Sequence, residues 1–191
     1  MKVPEIILAS ASPRRSELLA AIGLDFRIMP ADVDESRLKN ETGKNLVYRL
    51  SQLKAKTIAK GNLNSLVIAA DTVVVLDNEI LEKPVDIAQN MEFIKMLSAR
   101  AHQVYTGHSI SYQNKSITKV IKTDVYFRSL SPQEITHYAN TKEGLDKAGG
   151  YGIQGKGSML VEKIAGCYFN VMGLSVANIV TMANELGVSF V

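Results

Sequence analysis

Apolar and polar positions alternate between two patterns along the chain. Continuous apolar runs at residues 3–9 and 66–76 are typical of buried strands. Apolar residues spaced three and four apart are typical of amphipathic helices. This spacing, together with capping residues, prolines and glycines, predicts helices at residues 16–22, 45–60, 86–98, 131–141 and 175–186. Strands that alternate with helices in this way indicate an α/β fold.

Hairpins determine the type of sheet. Residues 103–112 and 116–129 are two long strand-like segments joined by only three residues, which predicts an antiparallel pair and therefore a mixed sheet. Shorter strands are predicted at residues 26–29 and 79–84, and a second hairpin at 159–164 and 168–172. No linker divides residues 1–191, which we predict to form one domain with a long mixed β-sheet flanked by helices.

Composition narrows the class of protein. Of the 191 residues, 46% are hydrophobic and 21% charged, which is typical of a soluble globular protein. The net charge of +3 is too small and dispersed to indicate nucleic-acid binding. One cysteine, Cys167, cannot form an intrachain disulfide, and no segment approaches the roughly 20 apolar residues of a membrane span. We expect a cytoplasmic protein with no membrane partner.

Polar residues follow the first apolar run. Ser12 is a good N-cap and Pro13 suits the first helical position, so residues 10–15 form a strand-to-helix turn that carries Ser10, Arg14 and Arg15. A helix N-terminus beside guanidinium groups is an anion site, and phosphate is the obvious anion. The alternative is a capped helix with two solvated arginines.

A carboxylate interrupts the longest apolar run. Asp71 and Thr72 lie in the middle of residues 66–76, where an unpaired charge is unfavourable. Asp71 is therefore paired, bound to metal or open to a cleft, or it is a hydrogen-bonded structural residue or part of a bulge. The turn after this strand would bring Lys83 back toward Asp71. Lys54, at the edge of a helical stripe, either lies along the surface or points into a cleft.

Two loops carry further polar residues. The acidic loop at residues 32–35 contains Asp32, Asp34 and Glu35, a composition most often found on a solvated surface. Residues 144–157 contain six of the 13 glycines, which indicates backbone close to a ligand or a flexible connector. This loop matches neither the Walker A nor the Rossmann fingerprint.

Taken together, the clusters indicate one kind of chemistry. Arginines and lysines suit a polyphosphate, and carboxylates suit a divalent metal bound through oxygen. The three histidines are scattered, so neither a zinc site nor a hydrolase triad is indicated. The sequence therefore points to phosphoryl or nucleotidyl chemistry on a metal-bound nucleotide.

Five stretches in order resemble the Maf family of nucleoside triphosphate pyrophosphatases. They are LASASPRR at residues 8–15, ADT at 70–72, EKP at 82–84, DKAGGYGIQG at 146–155 and GCYFNVMGL at 166–174. The resemblance implies hydrolysis between the α- and β-phosphates, which gives a nucleoside monophosphate and pyrophosphate. It also implies two lobes around a central cleft, as in inosine triphosphatases, a divalent cation (Mg²⁺ or Mn²⁺) and a homodimer.

The same resemblance implies roles for individual residues. Asp71 accepts the proton of the attacking water and, with Glu35, binds metal. The expected phosphate ligands are Arg14, Lys54, Lys83 and Lys147, and the turn at residues 10–15 adds Ser10 and Ser12 to them. The form of the glycine-rich loop is similar to the dTTP/UTP branch, in which Arg14, Thr72 and Gln154 select the base. No role requires Arg15, which we expect to be structural.

Two alternatives to this function stay open from the sequence. One is a pyrophosphatase for modified purine nucleotides, and the other is a non-catalytic nucleotide-binding regulator of cell division. Gln154 favours dTTP and UTP over purines, because a glutamine amide can both donate to and accept from the O4/N3 edge of uracil or thymine.

Overall fold

A computed structural model describes residues 3–190 and places seven strands of this part of the chain in one sheet. The strands are β1 (Ile6–Leu8), β2 (Arg27–Ile28), β3 (Leu66–Leu76), β4 (Glu79–Leu81), β5 (Ala101–Tyr112), β6 (Lys115–Phe127) and β7 (Val161–Ala165). The helices are α1 (Pro13–Ala20), α2 (Gly43–Ala59), α3 (Ile87–Leu97), α4 (Pro132–Asn140), α5 (Tyr168–Met172) and α6 (Val176–Glu185).

The sheet is mixed, as predicted. Its strand order is β2-β1-β3-β5-β6-β7, and β4 pairs with the C-terminal end of β3. β1 lies parallel to β2 and β3, whereas each neighbouring pair in the series β3, β5, β6 and β7 is antiparallel. The long hairpin of β5 and β6 turns at Gln113 and Asn114, both of which have positive φ. The α/β class and the long mixed sheet are therefore confirmed.

Each face of β3 carries two apolar clusters rather than one. On the face covered by α2, Val67 and Ala69 belong to one cluster and Val73 and Val75 to another, and Asp71 lies between them. On the opposite face, two separate clusters lie on either side of Thr72: one contains Leu66, Ile68 and Ala70, and the other Val74 and Leu76. The polar interruption in the apolar run thus marks the level at which the hydrophobic core divides on both faces.

The predicted second hairpin is wrong. Residues 168–172 form helix α5, and β7 pairs with β6 instead. The side chain of Asn170 is fully buried and donates to Val104 O and Thr123 Oγ1, both at 3.1 Å, and Gly173 ends the helix at φ 106°. These long-range contacts override the strand preference of the aromatic and β-branched residues in the segment. Elsewhere the predicted strands at 3–9, 26–29 and 79–84 are shorter than expected.

No helix within residues 3–190 is both long enough and apolar enough to cross a bilayer.

Two histidines are buried in the sheet region. His102 Nε2 lies 2.7 Å from the hydroxyl of Tyr151, and His108 Nε2 accepts from the backbone N–H of Ser175 at 2.8 Å. Burial lowers the pKa of His102 to about 4 and that of His108 to about 3. Both side chains are therefore neutral in the folded protein at neutral pH.

Acid should destabilise the fold through these histidines. In the unfolded chain their pKa returns to about 6.5, so the unfolded state binds more protons between pH 6.5 and about 4. The free energy of unfolding should therefore decrease as the pH is lowered through this window, by up to about 1.4 kcal/mol per pH unit for each histidine. Denaturant unfolding at several pH values measures the slope. His108→Gln, which keeps an acceptor for the N–H of Ser175, should flatten the slope. An unaltered slope in His108→Gln would contradict this origin.

Candidate active site

A cavity of about 940 Å³ lies where the hydrophobic core divides. Its lining comes from the turn before α1, the acidic loop, the centre of β3, the segment after β4 and the glycine-rich loop. All ten of the site residues predicted from the sequence line this one cavity: Ser10, Ser12, Arg14, Glu35, Lys54, Asp71, Thr72, Lys83, Lys147 and Gln154. The fold thus brings together side chains that lie up to 144 positions apart.

Asp71 is paired with a buried lysine. Lys54 Nζ lies 2.6 Å from Asp71 Oδ1 and 3.0 Å from Glu35 Oε1. Lys54 and Asp71 are both buried, whereas Glu35 is exposed. The lysine therefore points into the cavity, and its charge compensates the carboxylate that interrupts β3. Two carboxylates and one ammonium group converge here.

A missing side chain on β5 makes this pairing possible. Gly107 is the register partner of Asp71, and a Cβ at this position would lie 2.1 Å from the carbonyl oxygen of Val47 and 2.7 Å from Ser51 Oγ, both on α2. Only glycine lets α2 approach the sheet this closely. The helix therefore delivers Lys54, one turn after Ser51, at the level of Asp71.

An arginine of α2 fixes the acidic loop. Arg49 donates to both carboxylate oxygens of Glu41, each at 2.7 Å, and to the backbone oxygen of Ser36 at 3.0 Å. These hydrogen bonds hold the pKa of Glu41 below its usual value. Asp34 accepts from the backbone N–H of Ser36 within the loop. Arg49 thereby anchors the loop at Ser36, next to Glu35, the acidic residue in the loop that contacts Lys54.

The turn before α1 is held by Arg15, which sequence reasoning left without a role in the site. Arg15 donates to Gly173 O at 2.9 Å, to Ser10 Oγ at 2.9 Å and to Thr72 Oγ1 at 3.2 Å. Burial lowers the pKa of Arg15, although a guanidinium stays charged at any physiological pH. The expected structural role fits these contacts, but they lie in the cavity lining itself. Two adjacent arginines at a helix start were the available signal.

The serines of this turn are arranged differently from a simple cap. Ser12 occupies the N-cap position, but its side chain makes no capping hydrogen bond. Its backbone N–H instead donates to Ser10 Oγ at 3.2 Å. Ser10 Oγ thus accepts from Ser12 and from Arg15, and its own proton is available for a further acceptor.

Thr72 has its only hydroxyl proton committed within the protein. Thr106 Oγ1 donates to Asn170 O at 2.9 Å, so in the 3.0 Å pair of hydroxyls Thr72 is the donor. Thr72 also accepts from Arg15. Toward a ligand, Thr72 therefore offers only an acceptor lone pair.

The glycine-rich loop presents a cation beside a carboxylate. Lys147 Nζ donates to the backbone oxygen of Glu143 and, at 2.6 Å, to Asp146 Oδ1. The other oxygen of Asp146 lies 3.4 Å from Arg14 Nη1. Asp146 thus lies between two cations expected to bind phosphate, and it joins the turn before α1 to the glycine-rich loop.

The donors of the cavity fit a hard divalent cation. Asp71 and Glu35 each place one carboxylate oxygen within 3.0 Å of Lys54 Nζ, so the two carboxylates lie close together and each keeps a second oxygen for a cation. Mg²⁺ is usually held in proteins by one or two carboxylates together with substrate phosphates and water. Among residues 3–190, no group of three or more His, Cys, Asp or Glu side chains is arranged to hold a metal.

Comparison with known proteins gives a consistent family. The Maf-like protein family matches residues 5–186. A dTTP/UTP pyrophosphatase of Clostridioides difficile is 47% identical over 176 residues, or 91% of this chain and 91% of its own. The dTTP/UTP pyrophosphatase of Deinococcus radiodurans is 42% identical over 186 residues, or 97% of this chain and 95% of its own.

Solved structures also match part of the chain. The Ham1 protein of Staphylococcus aureus is 23% identical, with a TM-score of 0.46 over 67% of this chain and 72% of its own. A nucleoside-triphosphatase (dITP/XTP pyrophosphatase) of Mycobacterium abscessus is 16% identical, with a TM-score of 0.45 over 66% of this chain and 75% of its own. On the match over residues 5–186 and the two full-length relatives above 40% identity, the chain belongs to the Maf-like protein family.

Proposed function

We propose that this protein hydrolyses dTTP and UTP to the monophosphate and pyrophosphate. The observation that carries the proposal is the buried Asp71–Lys54 pair in a cavity that is also lined by Arg14, Lys83 and Lys147. A carboxylate acceptor beside several cations suits attack of water on a polyphosphate. The names of the relatives at 42–47% identity support the choice of nucleotide.

Asp71 is the proposed general base. It accepts a proton from a water, whose oxygen attacks a phosphorus of the α–β bridge. The bond from that phosphorus to the bridging oxygen breaks: pyrophosphate is the leaving group if the α-phosphorus is attacked, and the monophosphate is the leaving group if the β-phosphorus is attacked. Lys54 Nζ lies 2.6 Å from Asp71 Oδ1 and holds the carboxylate in place.

The remaining cations are proposed to hold the phosphates. Arg14 and Lys147 both contact the carboxylate of Asp146, and a phosphate group could take the place of this carboxylate as their partner. Ser10 has a free hydroxyl proton to donate, and the hydroxyl of Ser12 is not used for capping. Lys83 lines the same cavity and completes the set.

Base choice is proposed to rest on Gln154, Arg14 and Thr72. The amide of Gln154 can donate to O4 and accept from N3–H of uracil or thymine. The hydroxyl oxygen of Thr72 can accept a hydrogen bond from the base but has no proton to donate to it. It also accepts a hydrogen bond from Arg15. Purine triphosphates present a different edge and are expected to be poorer substrates.

Asp71 and Glu35 are the proposed ligands of a divalent cation, Mg²⁺ or Mn²⁺. When bound, such a cation neutralises charge on the phosphates. Glu35 stays in position because Arg49 anchors the loop at Ser36.

Glu35→Gln should raise the Mg²⁺ concentration needed for half-maximal activity about tenfold or more, because an amide oxygen carries no net charge for the cation. Titration of activity with Mg²⁺, and of Mn²⁺ binding by paramagnetic resonance, measures the change. Asp32→Asn removes an exposed carboxylate from the same loop and should leave both titrations unchanged. Equal Mg²⁺ titrations for Glu35→Gln and the unmodified protein would remove Glu35 from the proposed metal site.

A nucleotide panel tests the proposed function. Pyrophosphate release should be measured from dTTP, UTP, dITP and 7-methyl-GTP, with Mg²⁺ and with Mn²⁺. We expect dTTP and UTP to be hydrolysed most efficiently. A preference for dITP or 7-methyl-GTP would favour a pyrophosphatase for modified purines, and binding of UTP without pyrophosphate release would favour a regulator.

The family resemblance also supports a homodimer in the cytoplasm, folded as one unit over residues 1–191. Sedimentation analysis of the purified protein tests the dimer, and a single cooperative unfolding transition tests the single unit.

A further inference from the structure

One carboxylate organises the loop that carries Gln154. Glu143 lies before the glycine-rich loop and lines the cavity. Its Oε2 accepts from the backbone N–H of Lys156 at 3.0 Å, and its Oε1 accepts from the backbone N–H of Gly157 at 2.9 Å. These are charge-assisted hydrogen bonds to two consecutive residues that follow Gln154 closely.

The loop is wrapped tightly around this carboxylate. Gly155 has φ 62°, and a Cβ at this position would lie 2.9 Å from Glu143 Oε2. A Cβ at Gly157 would lie 1.9 Å from the backbone oxygen of Gly152. Gln154 therefore begins a tight turn in which added side-chain atoms would clash. This turn surrounds the carboxylate of Glu143.

The two ends of Glu143 serve different parts of the site. Its side chain holds the loop at Lys156 and Gly157, whereas its backbone oxygen accepts from Lys147, one of the proposed phosphate ligands. A substitution of the side chain thus removes the support of Gln154 and leaves the backbone contact to Lys147 in place.

A fixed loop matters for base choice because the backbone at residue 154 sets the position from which the Gln154 amide reaches the edge of the base. If the side-chain amide of a glutamine can rotate by 180°, its oxygen and nitrogen exchange positions. The side chain can then pair with cytosine as well as with uracil. Discrimination between the two bases requires that one orientation be favoured, since the donor and acceptor positions of the two bases are reversed.

We infer that Glu143 is a positioning residue for base selection: its carboxylate holds the turn at residues 154–157 so that Gln154 distinguishes uracil and thymine from cytosine. The inference rests on the proposed function, because it concerns the same site and the role proposed there for Gln154.

Selectivity in a double-mutant cycle tests the inference. The ratio of kcat/KM for UTP to that for CTP should fall about tenfold or more in Glu143→Ala and in Gln154→Ala. The two substitutions combined should lower the ratio little further than either alone, because both remove the same function. Glu143→Gln keeps one acceptor oxygen and should retain part of the selectivity. Inhibition by pyrophosphate should stay within about twofold in all four variants.

Hydrogen exchange gives a second measurement, which does not depend on activity. The backbone N–H groups of Lys156 and Gly157 should exchange faster in Glu143→Ala and in Glu143→Gln. The matched control is Glu134→Ala, which also removes a carboxylate that accepts a backbone N–H, that of Ser131, and contacts Arg128 outside the cavity. It should not alter the UTP-to-CTP ratio.

The possible failures can be distinguished. An unchanged UTP-to-CTP ratio in Glu143→Ala, or additive losses in the double variant, would overturn the positioning role while the proposed function stands. Absence of pyrophosphate release from UTP by the unmodified protein would overturn the proposed function, and with it the inference.

Discussion

Asp71→Asn should lower pyrophosphate release from UTP by about 10²–10⁴-fold. The asparagine amide has nearly the size of the carboxylate but cannot accept a proton from water. The substitution also removes the charge that pairs with Lys54, whose Nζ keeps Glu35 as a neighbour at 3.0 Å. Steady-state release of pyrophosphate at saturating Mg²⁺ measures the loss.

The matched control is Asp124→Asn, which removes a strand carboxylate paired with Lys122 outside the cavity. It should keep full activity. Thermal unfolding shows whether Asp71→Asn is folded, and a normal cooperative transition together with lost activity is the expected combination. Full activity in Asp71→Asn would remove Asp71 from the role of base.

Gly107→Ala should impair both stability and activity, although Gly107 bears no functional group. The added methyl group would lie 2.1 Å from the carbonyl oxygen of Val47, a backbone atom that can move only with α2. Overpacking of this kind costs about 1–3 kcal/mol. A shift of the helix would also move Lys54 away from Asp71, and a displacement of about 1 Å at a catalytic group can lower the rate about 10²-fold.

Gly61→Ala is the control for Gly107→Ala, since a Cβ at this position meets no atom within 4 Å. Denaturant unfolding and pyrophosphate release should be near normal in Gly61→Ala and reduced in Gly107→Ala. Normal stability and activity in Gly107→Ala would show that the close approach of α2 to β5 is not required for the site.

Much of the fold could be predicted because it depends on local patterns. The apolar run of β3 identified a central strand to the residue, and the short connection between β5 and β6 identified their pairing. Asp71 stood out because a charge inside such a run needs a specific reason. In the structure, Asp71 lies between two apolar clusters, where it lines the cavity and pairs with Lys54.

Other features depend on contacts between distant residues. Residues 168–172 have the composition of a strand, but the buried amide of Asn170 bonds to β5 and β6 only as part of helix α5. Arg15 reaches Gly173, which lies 158 positions away. The need for glycine at residue 107 arises from a helix that begins more than 60 residues earlier. No local pattern in the sequence encodes such partners.

Product analysis of UTP turnover tests the central claim most directly. The purified protein, with UTP and Mg²⁺, should yield UMP and pyrophosphate in equal amounts when the products are separated by anion-exchange chromatography, and Asp71→Asn should yield neither at a comparable rate. Formation of UDP and inorganic phosphate, or UMP production that persists undiminished in Asp71→Asn, would contradict a pyrophosphatase in which Asp71 activates the water.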